Sequence, residues 1–210
     1  MKKLCAICGT NEATTRDHIP PRGLYPAPRD NDINLNIVPA CETCNNGSSI
    51  DDEEFNVFIG IATGEHQKFP DKVINSLAST IGSNKRIGKN IFKTKKNVHA
   101  KLNGIIFEPA VSITFDRKMY DRVITRIIKG LYWMETGHAL PMKSKITILP
   151  GESLEVSIAQ DLMKLMHELP LRTLNKDTFF YRFQIADNGS SVWGLQFFGR
   201  HTTFTLVSGE

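Results

Sequence analysis

Between Asp116 and Glu135, apolar residues recur every three or four positions. Met119, Val123, Ile127, Leu131 and Met134 form one row, and Tyr120, Ile124 and Ile128 form the row beside it. That is the period of an α-helix with a wide face turned to a core. A shorter helix is predicted over Val156 to Glu168. Another starts near Ser49 or Asp51, where Asp51, Asp52, Glu53 and Glu54 precede Phe55, Val57, Phe58, Ile59 and Ile61. Acids in a first turn suit the positive end of the helix dipole. A further helix is predicted over Asp71 to Ile81, with Gly82 as its stop. Near the C-terminus the period shortens to two. Phe179, Tyr181, Phe183 and Ile185 alternate with Phe180, Arg182 and Gln184, and Val192–Phe198 and Thr203–Val207 continue the pattern. Asn188-Gly189 between them predicts a hairpin, since both residue types tolerate positive φ. Trp133 on the long helix and Trp193 on a strand are expected to pack. The aromatic row in 179–183 reads as sheet core.

The first 50 residues break this regularity. They are rich in Pro, Asn, Asp and Gly and hold few large apolar side chains, so they cannot build much core alone. Asn36 to Cys41 reads as a short extended segment. Pro20 to Pro28 reads as a stiff connector, because proline fixes φ. The pattern predicts an α+β chain: an N-terminal module over residues 1–60, then helices and an antiparallel β-meander over residues 61–210.

Composition adds limits. The chain has 210 residues, 40% hydrophobic and 23% charged, an ordinary balance for a packed core. No apolar run approaches the roughly 18–20 residues a bilayer span needs. The start Met1-Lys2-Lys3-Leu4-Cys5 has no apolar signal core, so a cytoplasmic protein without a membrane role is expected. The net charge of +4 is uneven: residues 1–60 carry five Lys or Arg against nine Asp or Glu, which leaves +8 for the rest. A polyanionic partner would be drawn mainly to the second part. Lys85, Arg86, Lys89, Lys93, Lys95, Lys96 and Lys101 follow one another with no acid among them and with Ile87, Ile91 and Phe92 interleaved. Such a stretch suits a nucleic-acid backbone.

The candidate chemistry lies in the N-terminal module. Cys5/Cys8 and Cys41/Cys44 are two Cys-x-x-Cys pairs and use every cysteine of the chain. Four thiolates in two knuckles suit one tetrahedral structural zinc, which also supplies the folding energy this segment lacks. The same staple would bring Asn45, the residue after the last cysteine, towards Asp17-His18. Hydrolysing a phosphodiester needs a base for water, a cation for the phosphoryl oxygens and help for the departing 3′-oxygen. His18 suits the base, because an imidazole ordinarily titrates near neutral pH. Asp17 and Asn45 offer hard oxygen ligands for Mg²⁺ or Mn²⁺. Arg22 is a candidate phosphate clamp, with Arg16 and Arg29 nearby in sequence.

These residues carry a resemblance. Asp17-His18-Ile19-Pro20-Pro21, followed by Asn36-Ile37-Val38-Pro39-Ala40-Cys41-Glu42-Thr43-Cys44-Asn45-Asn46-Gly47, resembles the HNH endonucleases. Members of that family have a ββα-metal fold with an Asp-His or Glu-His pair, a middle asparagine and a His or Asn after the second knuckle. The resemblance covers residues 4 to about 55. It implies that Asp17 and Asn45 bind the catalytic ion and His18 is the general base. It also implies that Asn36, five residues before Cys41, braces the loop that orients the base. The implied activity is metal-dependent cleavage of phosphodiesters, with DNA favoured over RNA as the substrate, as in bacterial or phage restriction and defence nucleases. An activating protein partner or a homo-oligomer is compatible with it. The alternative is a non-catalytic zinc-binding adaptor for nucleic acid or protein, with Asp17 capping a turn. His66, His99, His138, His167 and His201 have no motif around them and are expected on the surface or satisfied in the core.

Overall fold

The computed structural model describes residues 3–25, 35–63, 70–102, 105–175 and 178–209. Arg29, His66 and residues 26–28 of the proline-rich connector lie outside the described residues, as do the side chains of His99 and Lys101. The architecture is α+β, with six helices among the described residues and a C-terminal antiparallel sheet of five strands.

The N-terminal part is held by short pairings. Leu4 bridges Glu12 around a turn in which Gly9 adopts φ +71°, a conformation that costs glycine little. Strand β1 (Thr15–His18) pairs antiparallel with β2 (Ile37–Ala40), so Asp17 faces Val38 and His18 faces Ile37. Ile19 N donates to Asn36 O at 3.0 Å and Ala6 N to Pro39 O at 2.8 Å, which ties the first knuckle and the end of β1 to the second strand. Cys41 precedes the short helix α1 (Glu42–Asn46), and α2 (Ser49–Thr63) follows at once.

Next come α3 (Pro70–Ser83) and α4 (Lys85–Thr94). Gly82, the expected stop of the first of these, lies inside α3. It does not take a positive φ, and the break falls at Asn84, whose side chain caps α4 by accepting from Arg86 N and Ile87 N. A hairpin of β3 (Lys96–Leu102) and β4 (Ile105–Ser112) leads to α5 (Arg117–Thr136). Both ends of α5 have clear local causes. Asp116 accepts from Lys118 N at 2.9 Å, and Gly137 terminates the helix at φ +76° with its N–H on Trp133 O.

The remaining elements are β5 (Lys145–Pro150), α6 (Val156–His167), β6 (Arg172–Leu174), β7 (Phe179–Ile185), β8 (Ser191–Phe197) and β9 (His201–Ser208). The sheet order is β5-β9-β8-β7-β6. The hairpin expected at Asn188-Gly189 joins β7 to β8, but only Gly189 takes a positive φ; Asn188 instead accepts from Ser190 N through its side chain. Phe198, expected within a strand, leaves it at φ +50° and starts the next turn with Gly199.

Helix α5 packs on α2, β2 and β5, and is therefore buried on more than one side. One cluster of buried side chains runs from Cys5, Ile19, Val38 and Phe55 through Val123, Ile127 and Leu131 to Phe179, Trp193 and Phe197. The expected module boundary at residue 60 falls inside α2. Trp193 is fully buried and donates from Nε1 to Ser191 Oγ at 2.9 Å, while Trp133 packs at the edge of the core. His201 is satisfied in the core: Nε2 meets the Tyr120 hydroxyl at 2.7 Å and Nδ1 lies 3.3 Å from Glu152, with burial lowering its pKa. His138 and His167 are exposed.

Gly130 is where α5 approaches the residue after His18 most closely. A Cβ there would land on the Ile19 side chain, which is itself fully buried. Gly130→Val is expected to cost about 1–3 kcal/mol through overpacking, read as a lower urea midpoint with unchanged slope. An unchanged midpoint would show that this packing is not tight.

Candidate functional site

The four cysteine sulfurs, from two segments more than thirty residues apart, lie within 4.8 Å of one another. Cys8 and Cys41 Sγ are 4.0 Å apart, close to the roughly 3.8 Å expected of two sulfurs on one tetrahedral ion at a Zn–S distance of about 2.3 Å. Asn11 Nδ2 points at Cys41 Sγ from 3.7 Å, a donor of the kind that orients a metal-bound thiolate. Burial raises the Cys8 thiol, but hydrogen bonds from Thr10 and Asn11 outweigh it and bring Cys8 down to about 6. Cys41 is lowered as well, chiefly by the backbone N–H of Cys44. Burial and the neighbouring thiols push Cys5 and Cys44 up. Four crowded sulfurs resist ionising together, and a divalent ion relieves that conflict. The residues fit a structural zinc in number, spacing and chemistry.

Beside this quartet opens a cleft of about 460 Å³ lined by Asp17, His18, Arg22, Asn45, Ser49, Asp52, Glu53 and Asn56 among others. Asp17, His18, Arg22 and Asn45 are thus brought together, although two come from β1, one from the turn after it and one from α1. Asn45 Nδ2 donates to Thr15 Oγ1 at 3.2 Å and to Arg16 O at 3.1 Å, tying α1 to β1. Its amide oxygen makes no hydrogen bond among the described residues and remains available to a ligand. Arg22 is exposed and makes no ion pair among the described residues. Asn36 does not line the cleft; it sits across from the end of β1, where its carbonyl receives the Ile19 N–H.

Nothing in the residues around Asp17 announces what stands behind it. Arg126 of α5, only 6% exposed, places Nε 3.2 Å from Asp17 Oδ2 and donates from Nη2 to Asp52 Oδ1. The Asp17 approach is close but misaligned, so Asp17 Oδ2 and Arg126 Nε are both buried without a hydrogen bond. Burial raises the Asp17 carboxyl against the opposing pull of Arg126. Burial also lifts Asp52, to about 6; Arg126 works against this, and the Asp17 and Asp51 charges add to it. The whole acidic run expected only to favour a helix start is engaged. Asp51 takes a two-pronged bond from Arg122 at 2.6 and 2.8 Å, Glu53 accepts from Asn84 and Glu54 from Arg86 at 2.6 Å.

Oxygens that suit a hard divalent ion line this cleft: Asn56 Oδ1 and the Asn45 amide oxygen make no hydrogen bond among the described residues, and Asp17 brings a carboxylate whose Oδ2 faces Arg126. They are not drawn into a ready shell. Among the described residues, the cysteine quartet is the only group of three or more His, Cys, Asp or Glu side chains at mutual metal-ligand spacing.

The basic stretch forms α4 running into β3, elements that its own residue pattern does not predict. Asn84 and Arg86 anchor the start of α4 to Glu53 and Glu54, and Glu53 lines the cleft. Lys85, Lys89 and Lys93 on α4, and Lys95 and Lys96 after it, are exposed and form no ion pair among the described residues. Ile87 is buried, and Phe92 is 78% exposed beside the lysines. No helix is long and apolar enough to cross a membrane among the described residues. No protein-family model, no curated protein and no solved structure matches the chain.

Proposed function

We propose that the cleft is the reaction site of an HNH-type endonuclease that hydrolyses phosphodiesters, with DNA as the expected substrate, in a restriction or defence setting. The observation that carries this reading is that Asp17, His18, Arg22 and Asn45 line one cleft beside the cysteine quartet. Asp17 and the amide oxygen of Asn45 would hold a Mg²⁺ or Mn²⁺ ion, and the quartet would hold a zinc that keeps the cleft's walls together. His18 takes a proton from water as the water oxygen attacks phosphorus. The P–O3′ bond breaks and the departing 3′-oxygen takes a proton from solvent, leaving a 5′-phosphate and a 3′-hydroxyl. Arg22 binds a non-bridging phosphate oxygen and fixes the group for in-line attack. The chemistry supplied by a divalent ion, when bound, is Lewis-acid stabilisation of the phosphoryl oxygens and the departing 3′-oxygen. Asn36 braces the end of β1 through its bond to Ile19.

The lysines of α4 and its exit extend the binding track from the cleft wall along the nucleic-acid backbone. Replacing Lys93, Lys95 and Lys96 by Gln is expected to weaken DNA binding. Its dependence on log salt should flatten by about 0.9 for each phosphate that is no longer neutralised. An unaltered slope, measured by fluorescence anisotropy across salt concentrations, would remove this patch from the interface.

The alternative, a zinc-binding adaptor without activity, draws on one observation: Asp17 is already faced by Arg126. Plasmid incubated with zinc-loaded protein and Mg²⁺ or Mn²⁺ separates the two. Metal-dependent nicking supports the enzyme, and an intact plasmid with every ion supports the adaptor.

A further inference from the structure

We infer that Asp52 is the second carboxylate of the cleft's divalent-ion site, and that Arg126 is the buried cation positioning Asp17 and Asp52 side by side; this rests on the reading of the cleft given above. Nε and Nη2 form one edge of a guanidinium, the edge that ordinarily grips both oxygens of a single carboxylate. In this chain that edge meets one oxygen from each of two carboxylates, Asp17 on β1 and Asp52 on α2. Two residues far apart in sequence are thereby held within reach of a shared ion.

Charge points the same way. One guanidinium balances one carboxylate, so the trio keeps a negative charge when both acids are ionised. That surplus sits at the cleft: the Asp52 side chain is 22% exposed and lines it, whereas those of Asp17 and Arg126 are nearly closed off. A partly buried surplus charge is costly unless a cation answers it. Arg126 meets only one oxygen of each acid, and a carboxylate has about four lone-pair sites, so the second oxygen of each acid retains capacity for an ion. Asp52 is not required merely to dock α2 on α5. Arg122 and Asp51 already do so through their two-pronged bond, one residue earlier on α2 and one turn earlier on α5.

The test is Mn²⁺ binding to the zinc-loaded full chain by calorimetry, with no substrate present. Asp52→Asn keeps the shape and the acceptor for Arg126 but removes the charge. It is expected to weaken Mn²⁺ binding at least about tenfold, as Asp17→Asn does, with zinc content unchanged. Arg126→Lys keeps the charge but loses the two-cornered edge, and a loss of about tenfold is expected there too. Asp52→Asn binding Mn²⁺ within twofold of the unaltered chain, while Asp17→Asn loses it, would overturn the role of Asp52 and leave the nuclease reading standing. Unchanged affinity in Arg126→Lys would overturn the positioning role. Absence of Mn²⁺ binding in the unaltered chain would overturn both the inference and the reading beneath it. A second measurement needs no substitution. With Fe²⁺, ascorbate and peroxide, oxidation mapped by mass spectrometry is expected in segment 49–56 as well as 15–18. Damage confined to 15–18 and 45–46 would reject Asp52 as a ligand.

Discussion

Cys44→Ser is expected to release the zinc and unfold the N-terminal module, not merely to slow turnover. Ahead of α2, the buried hydrophobic side chains of that module are few: Cys5, Ala6, Ile7, Ile19, Leu24, Tyr25, Val38, Ala40 and Cys41. Three of the four sulfurs without the fourth give an incomplete tetrahedron. A structural zinc contributes an apparent folding free energy of about 10 kcal/mol or more in small modules, comparable to the whole stability of a domain, roughly 5–15 kcal/mol. Losing it therefore removes more than β1, β2 and their turns can supply. Phe179, Trp193, Leu195 and Phe197 belong to the same core cluster, but the pairing of β7, β8 and β9 that carries them does not involve the quartet, so the loss is expected to be partial. Zinc content by mass spectrometry and the thermal unfolding curve check this together. An unchanged melting curve with full zinc would contradict it.

His18→Ala is expected to behave in the opposite way, lowering cleavage by about 10²–10⁴-fold while zinc content and the melting curve stay nearly as they were. His18 ends β1, is half-buried and lines the cleft, outside the main core cluster. Truncating it empties part of the cleft and leaves β1 paired with β2 through backbone bonds. The two substitutions thus separate scaffold from chemistry. Nicking by His18→Ala at the rate of the unaltered chain would reject His18 as the base.

The legible parts of this chain are those whose cause is local. The long helix shows in its apolar rows, its Asp116 cap and Gly137; β7 shows in strict alternation; the quartet shows in cysteine spacing. The gathering of Asp17, His18, Arg22 and Asn45 at one cleft follows from the closing of the two knuckles. Elements whose cause is distant are hidden. Strand β6 has three residues, and β5 finds its partner in β9 only after the sheet forms. Helix α4 owes its start to Asn84 and its footing to Glu53 and Glu54, a connection its own residues do not announce. Asp52 and Arg126 are hidden for the same reason, although one signal exists. Arg126 stands in the row Met119, Val123, Arg126, Gly130, all buried. A cation on the buried face of a helix requires an opposite charge, and the run Asp51 to Glu54 is the densest supply in the chain.

Supercoiled plasmid mixed with the zinc-loaded chain tests most directly whether an imidazole, a carboxylate and a carboxamide work on a phosphodiester around one divalent ion. Conversion to nicked or linear DNA with Mg²⁺ or Mn²⁺, none with a chelator selective for those ions, and ends bearing a 5′-phosphate are the expected results. Intact plasmid under both ions, from protein that retains its zinc and its melting transition, would contradict it.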